Sequence, residues 1–122
     1  MLQNFLGEAL KKSLKMNLNP LIIYFSHSKI NSTFTGCSKT ILESYQELLI
    51  DISKLKNIPI IKVYYDGEKY YSENNRRLYL FKLLANNGIL KEIPVRIEIL
   101  KGKKLEKYHK NTYSLTAKIV GS

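Results

Sequence analysis

Between residues 41 and 100 the hydrophobic pattern changes period three times, and this switching constrains the fold more than any other feature of the chain. Ile41, Tyr45, Leu48, Ile52 and Leu55 recur at helical spacing, reinforced by Leu42 and Leu49. Thr40 and Glu43 fit a capping box, in which each side chain serves a free amide of the first turn. Asn57 and Pro59 end that pattern. Ile60 to Tyr65 then reads as a strand, Asp66-Gly67 as a tight turn, and Lys69 to Ser72 as the returning strand of a hairpin. Helical spacing resumes over Asn75 to Asn87, burying Leu78, Phe81, Leu84 and Ala85. Gly88 suits the position just beyond the helix, where a positive φ is needed. Pro94 leads into a strand from Val95 to Leu100.

The flanks extend this pattern. Residues 2–16 read as a short amphipathic helix, with Leu2, Phe5, Leu6, Ala9 and Leu10 on one face and Lys11, Lys12 and Lys15 elsewhere, ended by Asn17, Asn19 and Pro20. It is either a packed arm or a docking helix for a partner. Leu21 to Phe25 is an apolar strand, residues 26–40 a polar loop, residues 101–110 a lysine-rich turn or short helix, and Tyr113 to Val120 a last strand. The order implies an α/β (α+β) domain with helices packed on a mixed sheet. The expected division is an N-terminal helical arm over residues 1–19 and a compact domain over 20–122.

Charge narrows the function. The 122 residues carry a net +10, and residues 1–75 hold 9 Lys and Arg against 7 Asp and Glu, whereas residues 76–122 hold 11 against 3. So lopsided a balance attracts polyanions, nucleic acid being the commonest. The richness in Asn, Lys, Ile and Tyr follows AT-rich codon usage, so part of the lysine excess is compositional. No apolar run approaches the roughly 20 residues of a membrane helix, and Met1 to Met16 lacks the long apolar core and cleavage site of a secretory signal. The single cysteine, Cys37, forms no internal disulfide and fits a reducing compartment, cytosol or nucleus.

One constellation is more specific. Pro59-Ile60-Ile61-Lys62-Val63, then Asp66-Gly67-Glu68, then Glu73-Asn74-Asn75-Arg76-Arg77-Leu78, then Ile93-Pro94-Val95 appear in order. This resembles the core of the ParB/sulfiredoxin superfamily, in which a Pro-Ile strand precedes a hairpin, the hairpin enters an Arg-Arg helix start, and an Ile-Pro-Val strand follows. The likeness spans roughly residues 41–99, with Leu21 to Phe25 as the preceding strand. It implies a compact ParB/sulfiredoxin-like domain whose Asn74–Arg77 turn faces nucleotide phosphates or nucleic acid. The physics agrees, since helix N-termini attract anions and arginine pairs with phosphate through two parallel bonds. The competing reading is an ion pair from one arginine to Glu73 or Asp66.

The departures bear on activity. Asn74 and Asn75 stand where nucleotide-hydrolysing ParB proteins have Gly and Glu, and Asn75 stands where sulfiredoxins have their cysteine. With neither acid nor thiol, no catalytic residue is expected at this turn, and neither a metal nor another cofactor. Asp66, Glu68 and Glu73 could in principle serve a metal-dependent nuclease, but read more simply as turn and hairpin charges. Ser26 and His27 lack an orienting acid, and His27, His109 and Cys37 do not make a zinc set. A second basic cluster, Lys101, Lys103, Lys104, Lys107 and Lys110 with Tyr108 and Tyr113 interleaved, suits sequence-tolerant phosphate contacts.

The expectation is a non-catalytic nuclear subunit that binds double-stranded DNA through Asn74, Asn75, Arg76, Arg77 and these lysines, within a complex of other protein subunits. The chain has neither a Gly-rich cofactor loop nor an Asp-Pro-Pro-Tyr motif, so methyl-transfer chemistry would belong to those partners. The alternatives are a nucleotide-binding enzyme (NTPase, kinase or nuclease) using the Asn74–Arg77 turn, and a protein-interaction module without a nucleic-acid role.

Overall fold

A computed structural model describes residues 14–26, 29–31, 40–109 and 114–120. Five strands form one mixed sheet: β1 (Leu14–Leu18), β2 (Ile23–Phe25), β4 (Ile61–Tyr65), β5 (Tyr70–Ser72) and β6 (Ile93–Ile99), in the order β1-β6-β4-β5-β2. The β1/β6 and β4/β5 pairs are antiparallel, and β4/β6 and β2/β5 parallel. β3 (Lys29–Asn31) and β7 (Lys118–Val120) make a separate two-stranded parallel sheet. Three α-helices, α1 (Ile41–Ile50), α2 (Asn75–Asn86) and α3 (Gly102–His109), and two 3₁₀ segments, Pro20–Ile22 and Ile52–Asn57, complete the described elements. This is the mixed α/β domain with packed helices read from the sequence.

Alternation along the strands decides what each face meets. In β6, Ile93, Val95 and Ile97 are buried while Pro94 and Arg96 are exposed. The buried positions join Ile23, Phe25, Ile61 and Val63 in a core closed by Ile41 and Leu48 of α1 and by Leu78, Phe81 and Leu84 of α2. The opposite face is covered in part only, where Tyr64, Tyr71 and Leu100 cluster with Tyr24 and with Leu105 of α3.

Several local readings need correction. The strand read from Leu21 begins at Ile23, because Asn19 caps a 3₁₀ turn over Pro20–Ile22; Lys29–Asn31, inside the segment read as a loop, pairs with the last strand, which spans Lys118–Val120. The helix expected over residues 2–16 does not reach Leu14, because Leu14 to Leu18 pair with β6 as an edge strand; residues 1–13 lie outside those described. The sheet therefore begins inside the segment read as an arm. Leu14-Lys15-Met16-Asn17-Leu18 alternates apolar and polar, and a partner strand turns that weak period into structure.

The first helix is also shorter than its pattern. It ends at Ile50, where Asp51 turns out of the helix and accepts from the Ser53 amide at 3.1 Å and the Ser53 hydroxyl at 2.6 Å. These local bonds compete with helix continuation, hold the Asp51 carboxyl below its usual pKa, and leave Ile52–Asn57 as a 3₁₀ segment. Leu42 and Leu49, read as reinforcing the buried face, are 59% and 51% exposed.

Other local signals hold. Thr40 and Glu43 form the expected capping box, at 3.0 and 3.3 Å. Gly88 adopts φ 71° behind α2, and Ile89 donates back to the Leu84 carbonyl at 2.9 Å.

Candidate phosphate-binding turn

The candidate site is built where β5 runs into α2. Ser72, fully buried at the end of β5, accepts from the Asn74 amide at 3.0 Å and donates to the Asn74 carbonyl at 2.8 Å. These two hydrogen bonds fix the exit from the strand. Asn74 is the helix N-cap, and its Oδ1 accepts from the Arg77 amide at 3.0 Å. One of the free amides expected to meet an anion is thus satisfied by the chain itself.

Asn75 reaches away from solvent chemistry and toward β2. Its Oδ1 accepts from the Ser26 amide at 2.8 Å, and its Nδ2 donates to the Ser26 hydroxyl at 2.9 Å. Ser26 is therefore engaged with Asn75. His27 and Cys37 lie outside the described residues.

Arg76 and Arg77 are half-buried in the first turn of α2. Arg76 has a partner. Asp66, one of the two acids read as its competing partner, also serves the hairpin turn. Asp66 Oδ1 accepts from the amides of Glu68 at 2.8 Å and Lys69 at 2.7 Å, and its Oδ2 accepts from the Tyr71 hydroxyl at 2.6 Å. It closes the hairpin turn, in which Gly67 takes φ 103°. Among the described residues no three His, Cys, Asp or Glu side chains gather where one ion could be held.

The second basic cluster does not join this turn. Register places Val63 opposite Ser72, and Tyr65 beside Ile99. α2 therefore leaves from the Ser72 end of the sheet, while α3 follows Leu100, whose amide donates to the Tyr65 carbonyl at 2.8 Å at the other end. α3 also packs, through Leu105, on the face opposite to α1 and α2. Lys101 and Lys103 are exposed there. Lys104 and Lys107 lie within α3, although their side chains are outside the description, as is that of Tyr108; Lys110 and Tyr113 lie outside the described residues altogether. The tyrosines that do line this face are Tyr24, Tyr64 and Tyr71. Their signal was strand alternation: Tyr24 stands between the buried Ile23 and Phe25, and Tyr64 and Tyr71 pair with each other across β4 and β5.

The sequence reading missed one more group. Lys82 in α2 is only 7% exposed, with Nζ 3.4 Å from the Leu21 carbonyl and 5.2 Å from the centre of the Phe25 ring. Burial pushes its pKa down to about 8. Nothing in the spacing of α2 distinguishes it from a lysine on a wet face.

Comparison of the chain with family models, with curated proteins and with solved structures returns no match. The ParB/sulfiredoxin likeness therefore rests on the quoted residues alone.

Proposed function

We propose that this chain is a non-catalytic subunit that binds double-stranded DNA and supports a DNA-modifying complex in the nucleus. The small accessory subunit of the ciliate DNA N6-adenine methyltransferase complex, which it resembles, is a protein of this kind. The observation that carries the reading is the use of Asn74 and Asn75. At the positions where catalytic relatives keep a glycine with an acid, or a thiol, this chain has two amides engaged in building the fold. Asn74 caps α2 and Asn75 holds Ser26. The turn also carries charge, Arg76 and Arg77 in the first helical turn, on a chain with net +10. Such a surface suits phosphate contact without turnover.

The test is duplex DNA binding by fluorescence anisotropy across a salt series. The logarithm of the binding constant should fall steeply with the logarithm of salt concentration, and Arg76→Ala/Arg77→Ala should flatten that slope by about 2. A thermal-shift series with nucleoside triphosphates runs beside it. A nucleotide at ~100 times its dissociation constant adds roughly 2.7 kcal/mol, and none is expected here. A chain that ignores duplex DNA at low salt but is stabilised by a nucleotide would instead be a nucleotide-binding enzyme or its relic.

A further inference from the structure

The sheet face opposite α1 and α2 is divided. Its β2/β5 side is closed by the tyrosine cluster under Leu105, with Tyr64 and Tyr71 about 95% buried. On the β1/β6 side, where Lys15, Pro94 and Arg96 are exposed, the register does something the linear sequence hides. Lys15 of β1 lies directly opposite Arg96 of β6, and Arg96 lies directly beside Lys62 of β4. Side chains at paired positions point to the same face, and neighbouring strands are about 4.8 Å apart. Three cations drawn from residues 81 positions apart in the chain thus form one cross-strand row. Lys15 and Arg96 are exposed, while Lys62 is half-buried, with Nζ 3.4 Å from Glu98 Oε1 and 5.4 Å from the centre of the Tyr64 ring.

Like charges held directly opposite one another destabilise a sheet. A row of this kind is stabilised by a polyanion laid across it. The row lies at the same end of the sheet as the turn described above, because the Glu73 amide donates to the Lys62 carbonyl at 3.0 Å and Glu73 leads straight into Asn74–Arg77. The exposed lysines of α3 leave from the opposite end of the sheet.

We propose that duplex DNA is held along this row, with Lys15, Arg96 and Lys62 contacting its phosphate backbone beside the Arg76–Arg77 turn, and not along α3. The proposal rests on the DNA-binding reading and names its surface. Charge complementarity selects the occupant. Among the described residues this area presents Lys15 and Arg96, both exposed, with Asn17, Pro94 and the half-buried Lys62 and Glu98, a polar and mainly cationic surface without the clustered aromatic anchors that dominate protein interfaces. The burial of Tyr64 and Tyr71 removes the stacking platform that unpaired bases would use, which favours a duplex over a single strand.

Two double variants of equal charge change decide it, in the same anisotropy series. Lys15→Gln/Arg96→Gln should flatten the salt slope by about 2, and Lys101→Gln/Lys103→Gln should leave it near the wild-type value. All four positions are exposed, and circular dichroism melts confirm that each variant is folded. Should the double sheet variant fail to fold, Arg96→Gln alone should flatten the slope by about 1. If the α3 variant loses as much slope as the sheet variant, or if neither loses any, the surface is wrong while DNA binding stands. If the wild type does not bind duplex DNA, the DNA reading itself falls, and the surface with it.

Discussion

Asn75 and Ser26 stand 49 residues apart and meet through both ends of one amide, Oδ1 on the Ser26 backbone at 2.8 Å and Nδ2 on its hydroxyl at 2.9 Å. This clasp ties the end of β2 to the first turn of α2. It makes this position in the first turn of α2 a structural joint.

Asn75→Ala should therefore destabilise the fold by about 1–2 kcal/mol, because it leaves the part-buried Ser26 amide without its acceptor. Asn75→Asp keeps that acceptor, can still accept from the Ser26 hydroxyl, and places a negative charge where the helix dipole favours one. It should stay within about 0.5 kcal/mol of wild type. Urea midpoints at unchanged m-value report both. Equal losses in the two variants would mean that the acceptor at this position contributes little.

The two leucines at the end of α1 offer a second contrast between neighbours. Leu48 is 3% exposed and lies in the core, whereas Leu49 is half exposed. Leu48→Ala should cost about 2–5 kcal/mol and Leu49→Ala less than about 1. Calorimetric melting temperatures for the pair would check this, and similar losses would contradict the orientation of α1.

Lys82 predicts a dependence on pH. Its pKa is about 8 in the folded chain against the ordinary 10.5. Below pH 8 both states hold the proton and the burial cost is constant. Between pH 8 and 10.5 the unfolded chain binds a proton that the folded chain has released, so stability rises with pH, by up to about 1.4 kcal/mol per unit. Lys82→Met keeps the buried stem and removes the charge. It should be more stable than wild type at pH 7, and the advantage should shrink toward pH 10. Urea midpoints of both proteins at pH 7, 8, 9 and 10 measure it, and parallel curves would show that the amine is not the cause.

Much of the fold was legible because it is local. The capping box at Thr40 and Glu43, the Asp66-Gly67 turn, the limits of α2 and the role of Gly88 depend on residues within a few positions of one another. The strand at Leu14–Leu18 was less so. Its five-residue alternation is a weak signal, and its pairing with Pro94 and its neighbours comes from the far side of the domain. The early end of α1 was hidden for a different reason, since the apolar spacing continues through Ile52 and Leu55 while Asp51 diverts the backbone.

The candidate site divides along the same line. The sequence by itself determined that the chain forms a mixed α/β domain, that an Arg-Arg pair opens its second long helix, that two asparagines, Asn74 and Asn75, stand directly before that pair, and that the charge is strongly positive. Only the tertiary structure decided what those residues do to one another. It used Asn74 and Asn75 as cap and clasp, set the α3 lysines at the opposite end of the sheet from Arg76 and Arg77, and drew Lys15, Arg96 and Lys62 into one row. The physical reason is register. Which cations share a face depends on strand pairing between segments distant in the chain, and a slip of one residue in β1 would turn Lys15 to the other side of the sheet.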